Sequence, residues 1–351
     1  MTNKKKIIVA PLNWGLGHAS RCVPIINALL ENNFTPIIAS DGKALGFLQQ
    51  EFPSLETLKL SSYKIKYGKN LKKNLFLQLP RIFRAIQLEK KIIQLYIDKN
   101  TDVVGIISDN RFGVRSKKVT SIYITHQINI LSNVTTFFTS KIHQKIIKRF
   151  DECWVPDNLN SEFSGKLSTS KRNVNQKFIG VLSRFKKLET SKNIDVLVLL
   201  SGPEPNRTYL EERLISAFNN DKRKIVFVLG KVEKIQKKWT NNNCTFYNYA
   251  LSEELNKLLN SSRVVVCRSG YSSVIDLAVL NKKAFLIPTK NQPEQEYLAR
   301  YLKSKKLAPF CEEHLFTSER LVETENYSGL KSEETKINQD LYRLFHRKRK
   351  L

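Results

Sequence analysis

The residues of this chain that could do chemistry gather at three strand-to-helix turns. In KKKIIVAPLNWGLGHASRCVPIINALL, the run Lys4 to Ala10 predicts a buried first strand. It breaks at Pro11 and Asn13 and turns through Gly15, Gly17 and His18 into an apolar-periodic helix. Glycine at such a turn lets a ligand approach the backbone and the helix N-terminus. Histidine at its mouth is the residue type that takes a proton near neutral pH. In VVVCRSGYSSVIDLAVLNKKAFLIP, a buried strand ends in Arg268-Ser269-Gly270, and Ser272 and Ser273 open the next helix. A helix dipole, open N–H donors and an arginine make a phosphate cradle. Asp276, one and a half turns in, is spaced to accept hydrogen bonds from a ribose diol. In PTKNQPEQEYLAR, Asn291, Gln292, Glu294, Gln295 and Glu296 crowd one turn. Amides and carboxylates at that density suit a polyhydroxylated ligand. A well-capped helix start has the same composition as either of the last two motifs.

Strand and helix signals alternate along the whole chain, the pattern of parallel sheets covered on both faces. Strands are expected at 35–40, 55–60, TDVVGIIS, VTSIYIT and CWVP, with helices at 42–51, 80–99 and 134–150. A polar, basic stretch from Gly180 to Asn193 reads as a hinge, after which the alternation restarts. The second run is IDVLVLLSG, a helix over 207–219, KIVFVLG, a helix, CTFYNY, a helix over 252–260, SRVVVCRSG, a helix, KKAFLIP and a helix over 293–306. The fold class is therefore α/β, with two Rossmann-like doubly wound domains facing a cleft. Ligands of such sheets bind at the carboxyl ends of the strands. The expected division is 1–180, 181–330 and a basic helix end or frayed tail over 331–351.

Composition bounds the rest. At 351 residues the chain is long enough for two cores, and 41% hydrophobic with 26% charged residues describes an ordinary globular protein. No run of about 18 apolar residues is present. The segment before Pro11 is too short for a secretory signal, which makes a cytoplasmic location the expectation. Cys22, Cys153, Cys244, Cys267 and Cys311 show neither CxxC nor ligand spacing, so reduced thiols are expected and no metal site. Fifty-nine Lys and Arg against 32 Asp and Glu give a net charge of +27. Such a field attracts nucleotides, nucleic acid or anionic lipid. A chain rich in Lys, Asn and Ile together also carries lysine for compositional reasons alone. A nucleic-acid-binding protein without catalysis rests on charge only, since no RNA or DNA module is recognisable and nucleic acid is not an expected partner.

The order GLGHxxR, then CRSGxxSVxDLAxLxKxAxLIP and a Gln-bearing helix, resembles the nucleotide-sugar glycosyltransferases of the GT-B fold. Among these it is most similar to glycosyltransferase family 28, the MurG-like enzymes. The resemblance covers the chain to about Lys306. It implies a UDP-sugar as co-substrate in the C-terminal domain, an acceptor in the N-terminal one, no metal or other cofactor, and inversion at the anomeric carbon. His18 matches the family's GxGH histidine, with Gly15 and Gly17 beside the acceptor. THQIN, with His126, Gln127 and Asn129, resembles the acceptor-side HEQN segment. Arg184 matches an arginine that meets the diphosphate, and Ser201 and Gly202 match the first C-domain glycine loop. Ser269, Gly270 and Ser273 match the donor diphosphate turn, while Tyr249, Ala250 and Leu251 fall where the backbone reads the base. Asp276 stands in place of a ribose-binding glutamate, and Gln295 and Glu296 in place of a glutamine pair.

The chain departs from the pattern in four places. SGPEPNR replaces a glycine-rich loop, and its two prolines stiffen it and remove donors. Arg207 could supply positive charge there. Asp276 is one methylene short, Glu296 replaces an amide, and the third N-terminal glycine is missing. The expected mechanism is deprotonation of an acceptor hydroxyl by His18, with Asp109 at the end of IISD as its orienting partner. The leaving diphosphate would be stabilised at Gly270, by Arg184 and by Arg268. The interleaved Lys, Arg and apolar residues of 63–99 and 134–150 fit helices that dock on an anionic membrane surface. With the family's lipid-linked acceptors, they imply an envelope glycan precursor as acceptor and a peripheral position on the inner face of the membrane. A PseG-type nucleotide-sugar hydrolase shares GLGHxxR and uses water where a transferase uses an acceptor. The 2-epimerases share the fold but need further acid residues that have no counterpart here.

Overall fold

The computed structural model describes residues 4–63, 71–131, 136–160, 162–169, 174–332 and 338–346. The chain forms two compact units, Met1–Leu182 with Thr335–Leu351, and Ser183–Glu334. The division falls inside the polar stretch expected to be a hinge.

In the first unit the elements run β1 (Lys6–Pro11), α1 (Gly17–Glu31), β2 (Thr35–Ser40), α2 (Gly42–Glu51), β3 (Thr57–Lys59), α3 (Leu71–Lys99), β4 (Val103–Asp109), β5 (Thr120–Ile124), α4 (Thr136–Ile147), β6 (Glu152–Val155) and β7 (Gln176–Phe178). They build a seven-stranded sheet of order β3-β2-β1-β4-β5-β6-β7, parallel throughout. Ile7 to Ala10 are wholly buried, as expected of a central strand covered on both faces. One core layer sets Ile8, Ala10, Ile37, Ala39 and Ile106 against Ile93 and Ile97 of α3. Chain direction across the sheet reverses between β1 and β4, which places a topological switch point at Pro11 and Asp109.

The second unit runs β8 (Ile194–Leu199), α5 (Asn206–Ala217), β9 (Ile225–Val228), β10 (Lys238–Asn241), β11 (Cys244–Tyr247), α6 (Ser252–Ser261), β12 (Ser262–Cys267), α7 (Tyr271–Val279), β13 (Lys283–Leu286) and α8 (Pro293–Ser304). The sheet order is β10-β11-β9-β8-β12-β13. Among the described residues of this sheet only β10 pairs antiparallel. Its switch point lies between β8 and β12, above Ser201-Gly202 and Arg268-Gly270. Val196, Val198 and Phe227 pack with Leu210 and Leu214 of α5 and with Phe218 just after it on one side. These are two Rossmann-like α/β domains.

The structure corrects four expectations about the elements. Between β9 and β11 the sequence suggested a helix, but the chain forms the exposed edge strand β10. Asn242 adopts φ 51° at the hairpin turn, a left-handed conformation that asparagine tolerates, and Trp239 stacks on Phe246 with ring centroids 5.4 Å apart. The first strand does not break at Pro11, which is its last residue. α3 begins at Leu71 and carries Pro80 inside it. The C-terminal segment is neither a helix end nor frayed over 339–346. It forms a 3-10 stretch, Gln339–His346, on the first unit. Leu341, Tyr342 and Phe345 are buried, and Tyr342 and Phe345, three apart, share one side of the 3-10 turn. A Cβ at Gly105 would stand 2.2 Å from the Phe345 ring, so glycine in β4 makes room for that side chain. Residues 64–70, Val134 and 347–351, which carry parts of the basic amphipathic patterns, lie outside the described residues. Among the described residues no helix is long and apolar enough to cross a membrane.

Candidate active site

At the switch point of the first sheet, four side chains from three loops meet. β1 leads through Gly15, at φ 79°, into α1, which presents His18 and Arg21 three residues apart on one face. β4 ends at Asp109, and His126 follows β5. His18 Nδ1 lies 2.9 Å from Asp109 Oδ1. Arg21 forks onto the same carboxylate, its Nε donating to Oδ2 at 2.5 Å and its Nη2 to Oδ1. Arg21 Nη1 is 2.9 Å from His126 Nδ1. Asp109 is fully buried while the His18 side chain keeps 16% of its surface exposed. Burial by itself would raise the Asp109 carboxyl. Arg21 and His18, by charge and hydrogen bonds, overcome this and hold it well below the usual carboxylate range. Asp109 is thus favoured in its charged form beneath a solvent-reachable imidazole.

A second buried network holds the floor of this turn. Arg111, fully buried, donates Nε to the Pro11 carbonyl at 2.9 Å and Nη1 to Glu89 of α3 at 2.6 Å. Its Nη2 pairs with Asp41. Asp41 in turn accepts from Asn13 Nδ2 at 3.0 Å, which ties the glycine turn to the ends of β1, β2 and β4. Burial pushes Glu89 up to about 7, against the opposing pull of Arg111.

The other acceptor-side candidates divide. His126 joins the cluster. Asn129 donates Nδ2 to the carbonyls of Lys166 at 2.9 Å and Thr169 at 2.6 Å, bracing the following loop. Gln127 caps its own turn through its backbone N–H on Thr125 Oγ1 at 3.0 Å.

In the second unit, β12 leads into α7 at Gly270, whose φ of −73° suits any residue. A Cβ there would meet nothing within 4 Å. The space beside Gly270 at the start of α7 is open, and Ser272 and Ser273 lie in the helix's first turn. Gly202, at φ 101° with equally open surroundings, follows Ser201 at the end of β8. Arg184 donates Nη1 to Ser252 Oγ at 3.1 Å, at the start of α6 beside Tyr249, Ala250 and Leu251. The Tyr249 carbonyl already accepts from Gln236 Nε2 at 2.9 Å. Asp276 accepts from Ser183 Oγ at 2.7 Å. Burial pushes its carboxyl up to about 6, with Arg184 and Ser183 pulling the other way.

Several candidates here brace the structure. Arg268, buried, donates to the carbonyls of Ile287 and Pro288, both at 3.3 Å, and of Asn206 at 2.9 Å. It also pairs with Glu313 at 2.8 Å. Arg207 is engaged by Glu204 and by Glu211 at 2.5 Å, so the charge expected to compensate the stiff loop is neutralised within it. Gln295 Oε1 accepts from the Thr289 N–H at 2.9 Å, and Glu296 Oε1 from the Asn291 N–H at 2.8 Å. These two contacts shape the turn before α8. Glu294 sits in the first turn of that helix. A cavity of about 720 Å³, bordered by Asn206, Tyr209, Arg268, Asn291, Glu296 and Arg300, opens beside this turn. Among the described residues no group of three or more His, Cys, Asp and Glu could hold a metal ion.

Sequence reasoning left Arg21, Ser183 and Ser252 without roles. For Arg21 the signal was present in its three-residue spacing from His18. For the other two it was not, since their partners are 93 and 68 positions away.

Residues 205–341 match the glycosyltransferase family 28 C-terminal domain. The chain is 24% identical over 253 residues to the UDP-N-acetylglucosamine–N-acetylmuramyl-(pentapeptide) pyrophosphoryl-undecaprenol N-acetylglucosamine transferase of Pasteurella multocida strain Pm70. That match takes in 69% of this chain and 66% of the relative, just under two thirds of its length. The fold is similar to that of the kitacinnamycin glycotransferase, at TM-score 0.64 and 15% identity over 98% of this chain and 100% of the other. It is also similar to that of Acinetobacter baumannii MurG, at TM-score 0.56 and 13% identity over 98% and 99%. Both likenesses identify the two-domain GT-B architecture.

Proposed function

We propose that this chain is a MurG-like member of glycosyltransferase family 28, an enzyme that moves a sugar from a UDP-sugar donor to a hydroxyl acceptor with inversion. The observation that carries the reading is the pairing of a half-buried His18 with a buried, ionised Asp109 at the switch point of the first sheet. His18 Nε2 takes the proton of the acceptor hydroxyl as its oxygen attacks the anomeric carbon. The bond from that carbon to the diphosphate oxygen breaks on the opposite side, and the electron pair leaves with UDP. A single displacement of this kind inverts the centre. The negative charge on the leaving group is met by the first turn of α7 at Gly270 and by Arg184. The diphosphate thus rests on Ser269, Gly270 and Ser273, the ribose on Asp276, the base on 249–251 and the sugar on the turn of Gln295 and Glu296. Arg268 holds this turn in shape. No metal takes part in the proposed step.

The acceptor side of the proposal is a lipid-linked envelope precursor reached from an anionic membrane surface on the cytoplasmic side. Phe83, Leu88 and Leu95 of α3 and Ile142 of α4 are exposed, among Arg81, Arg84, Lys90, Lys91, Lys141 and Lys145, in a chain of net charge +27. Exposed apolar residues ringed by cations support interfacial docking. Flotation with anionic and neutral vesicles tests it, and binding to neither would remove the membrane from the proposal.

A thermal-shift screen against UDP, GDP, TDP and their sugars tests the donor site. UDP should raise the unfolding midpoint by mass action, with EDTA making no difference. No shift with any nucleotide would overturn the donor assignment. Release of sugar from UDP-sugar without any acceptor, at the rate seen with one, would move the chain to the hydrolases.

A further inference from the structure

We propose that the cavity of about 720 Å³ in the second unit is a carbohydrate site, separate from the nucleotide turn, that takes a saccharide of two or three rings. It goes beyond the transfer reaction proposed above, which needs only the one sugar carried by the donor. The cavity opens between Asn206, Tyr209 and Arg213 of α5, Glu296 and Arg300 of α8, the turn 288–291 and the segment 310–314. The nucleotide contacts proposed at 201–202, 249–251, 269–273 and 276 lie outside this lining, and the turn before α8 is common to both. The volume falls in the range of about 300–1,000 Å³ that small-molecule sites occupy. A ligand that fills such a space is drug-sized, which among saccharides means two or three rings.

The charges in the lining define what can enter. Arg268 and Glu313 neutralise each other at 2.8 Å. Arg213 spends Nη2 on the carbonyls of His314 at 3.0 Å and Phe316 at 3.1 Å. Glu296 Oε1 accepts from the Asn291 N–H at 2.8 Å. The cations of Arg213, Lys290 and Arg300 then stand alongside the carboxylates of Glu296 and Glu312. Signs so nearly balanced give a polyanion little to hold, since a second diphosphate would meet both carboxylates. An apolar ligand would strip water from these charged groups and return no hydrogen bonds. What matches is a neutral ligand whose groups each donate and accept, and the hydroxyl is such a group. Guanidinium and ammonium hydrogens meet its lone pairs, and carboxylate and amide oxygens take its proton. Two rings add apolar contact. Tyr209 is 57% exposed, and Phe310 lines the same cavity, with Lys303 Nζ 5.4 Å from its centroid. A pyranose has a C–H face as well as a hydroxyl edge. That face suits the negative face of an aromatic ring, and the edge suits the charged groups.

The experiment is saturation-transfer NMR on the full chain, with cellobiose, chitobiose, lactose and maltose as probes, each alone and again with saturating UDP. The expected result is transfer to at least one of these disaccharides, with a Kd on the order of 1 mM, unchanged by UDP. Tyr209→Ala and Arg300→Gln, both at exposed positions, should leave the unfolding midpoint in place. Each should weaken disaccharide binding at least about threefold, the loss of one aromatic contact or one charge-assisted hydrogen bond. No transfer to any probe overturns the proposal, as does binding that both variants keep intact. Transfer abolished by UDP would put the saccharide on the nucleotide turn and also overturn it. Transfer abolished by a UDP-sugar but not by UDP would make the cavity the seat of the donor's own sugar and overturn the separate site. Disaccharide binding by a chain whose midpoint UDP does not raise would refute the donor reading and leave this inference standing.

Discussion

His18 Nδ1 and Asp109 Oδ1 stand 2.9 Å apart although 91 positions separate them in the chain. The pairing joins the first turn of α1 to the last residue of β4, two elements brought side by side by the parallel register of β1 and β4. It aims the second imidazole nitrogen away from the buried carboxylate. His18→Ala should therefore lower turnover by about a hundredfold or more while leaving the fold intact. Steady-state kinetics with saturating donor checks this, and near-normal turnover would take His18 out of the mechanism.

Asp109→Asn removes the anion from under Arg21. Breaking one partner of a buried pair costs about 3–5 kcal/mol, so this variant should unfold at markedly lower urea concentration. Its carboxyl is held below the usual range in the folded chain. The stabilisation is therefore present above the unfolded value near 4 and is lost as pH falls below it. Urea titrations at pH 3 and pH 7 should separate Asp109→Asn from the unsubstituted protein more at the higher pH than at the lower, with the rest of the difference lost only at still lower pH.

Asp276 behaves in the opposite sense. Burial raises its carboxyl to about 6 in the folded state, so ionisation costs stability as pH rises from about 4 to about 6 and no further above. Asp276→Asn should be more stable than the unsubstituted protein at pH 7, by up to about 3 kcal/mol on the conversion of about 1.4 kcal/mol per pH unit. If the carboxylate holds a ribose diol, UDP affinity should also increase as pH rises through 6. Calorimetric titration between pH 5 and 7.5 reads this directly, and a flat profile would detach Asp276 from the ribose.

Gly270→Ala separates binding from folding. Backbone φ at 270 suits alanine and a Cβ there meets nothing within 4 Å, so stability should be unchanged or higher by about 0.4–1 kcal/mol. The new methyl would stand where a diphosphate must approach α7, and UDP affinity should fall at least about tenfold. Unaltered affinity would place the phosphates elsewhere.

The C-terminal segment should prove part of the first unit. Phe345 is 1% exposed, with its ring against the Gly105 backbone and 6.4 Å from Trp154. Phe345→Ala should cost about 3–5 kcal/mol, read as a lowered first-unit transition in calorimetry. A change below 1 kcal/mol would mean the segment is only loosely attached.

The sequence by itself determined the α/β architecture and marked two strand-end turns as candidate sites. Alternating buried strands and helices specify parallel sheets, and glycine turns at strand ends mark where ligands approach. Those signals are local, carried by hydrophobic period and backbone freedom, and so they are visible without coordinates. It determined less about the individual side chains. Arg207 and Arg268 read as free cations in the sequence, and only the fold placed Glu211 and Glu313 against them. Gln295 and Glu296 read as sugar contacts, yet each caps the backbone of its own turn. Arg21 had no evident role until strand register carried Asp109 and His126 to it. The β10 hairpin and the docking of Phe345 were likewise settled by pairing and burial across the unit. Ion pairs and edge pairing depend on neighbours distant in the chain, and tertiary structure alone decides which neighbours those are.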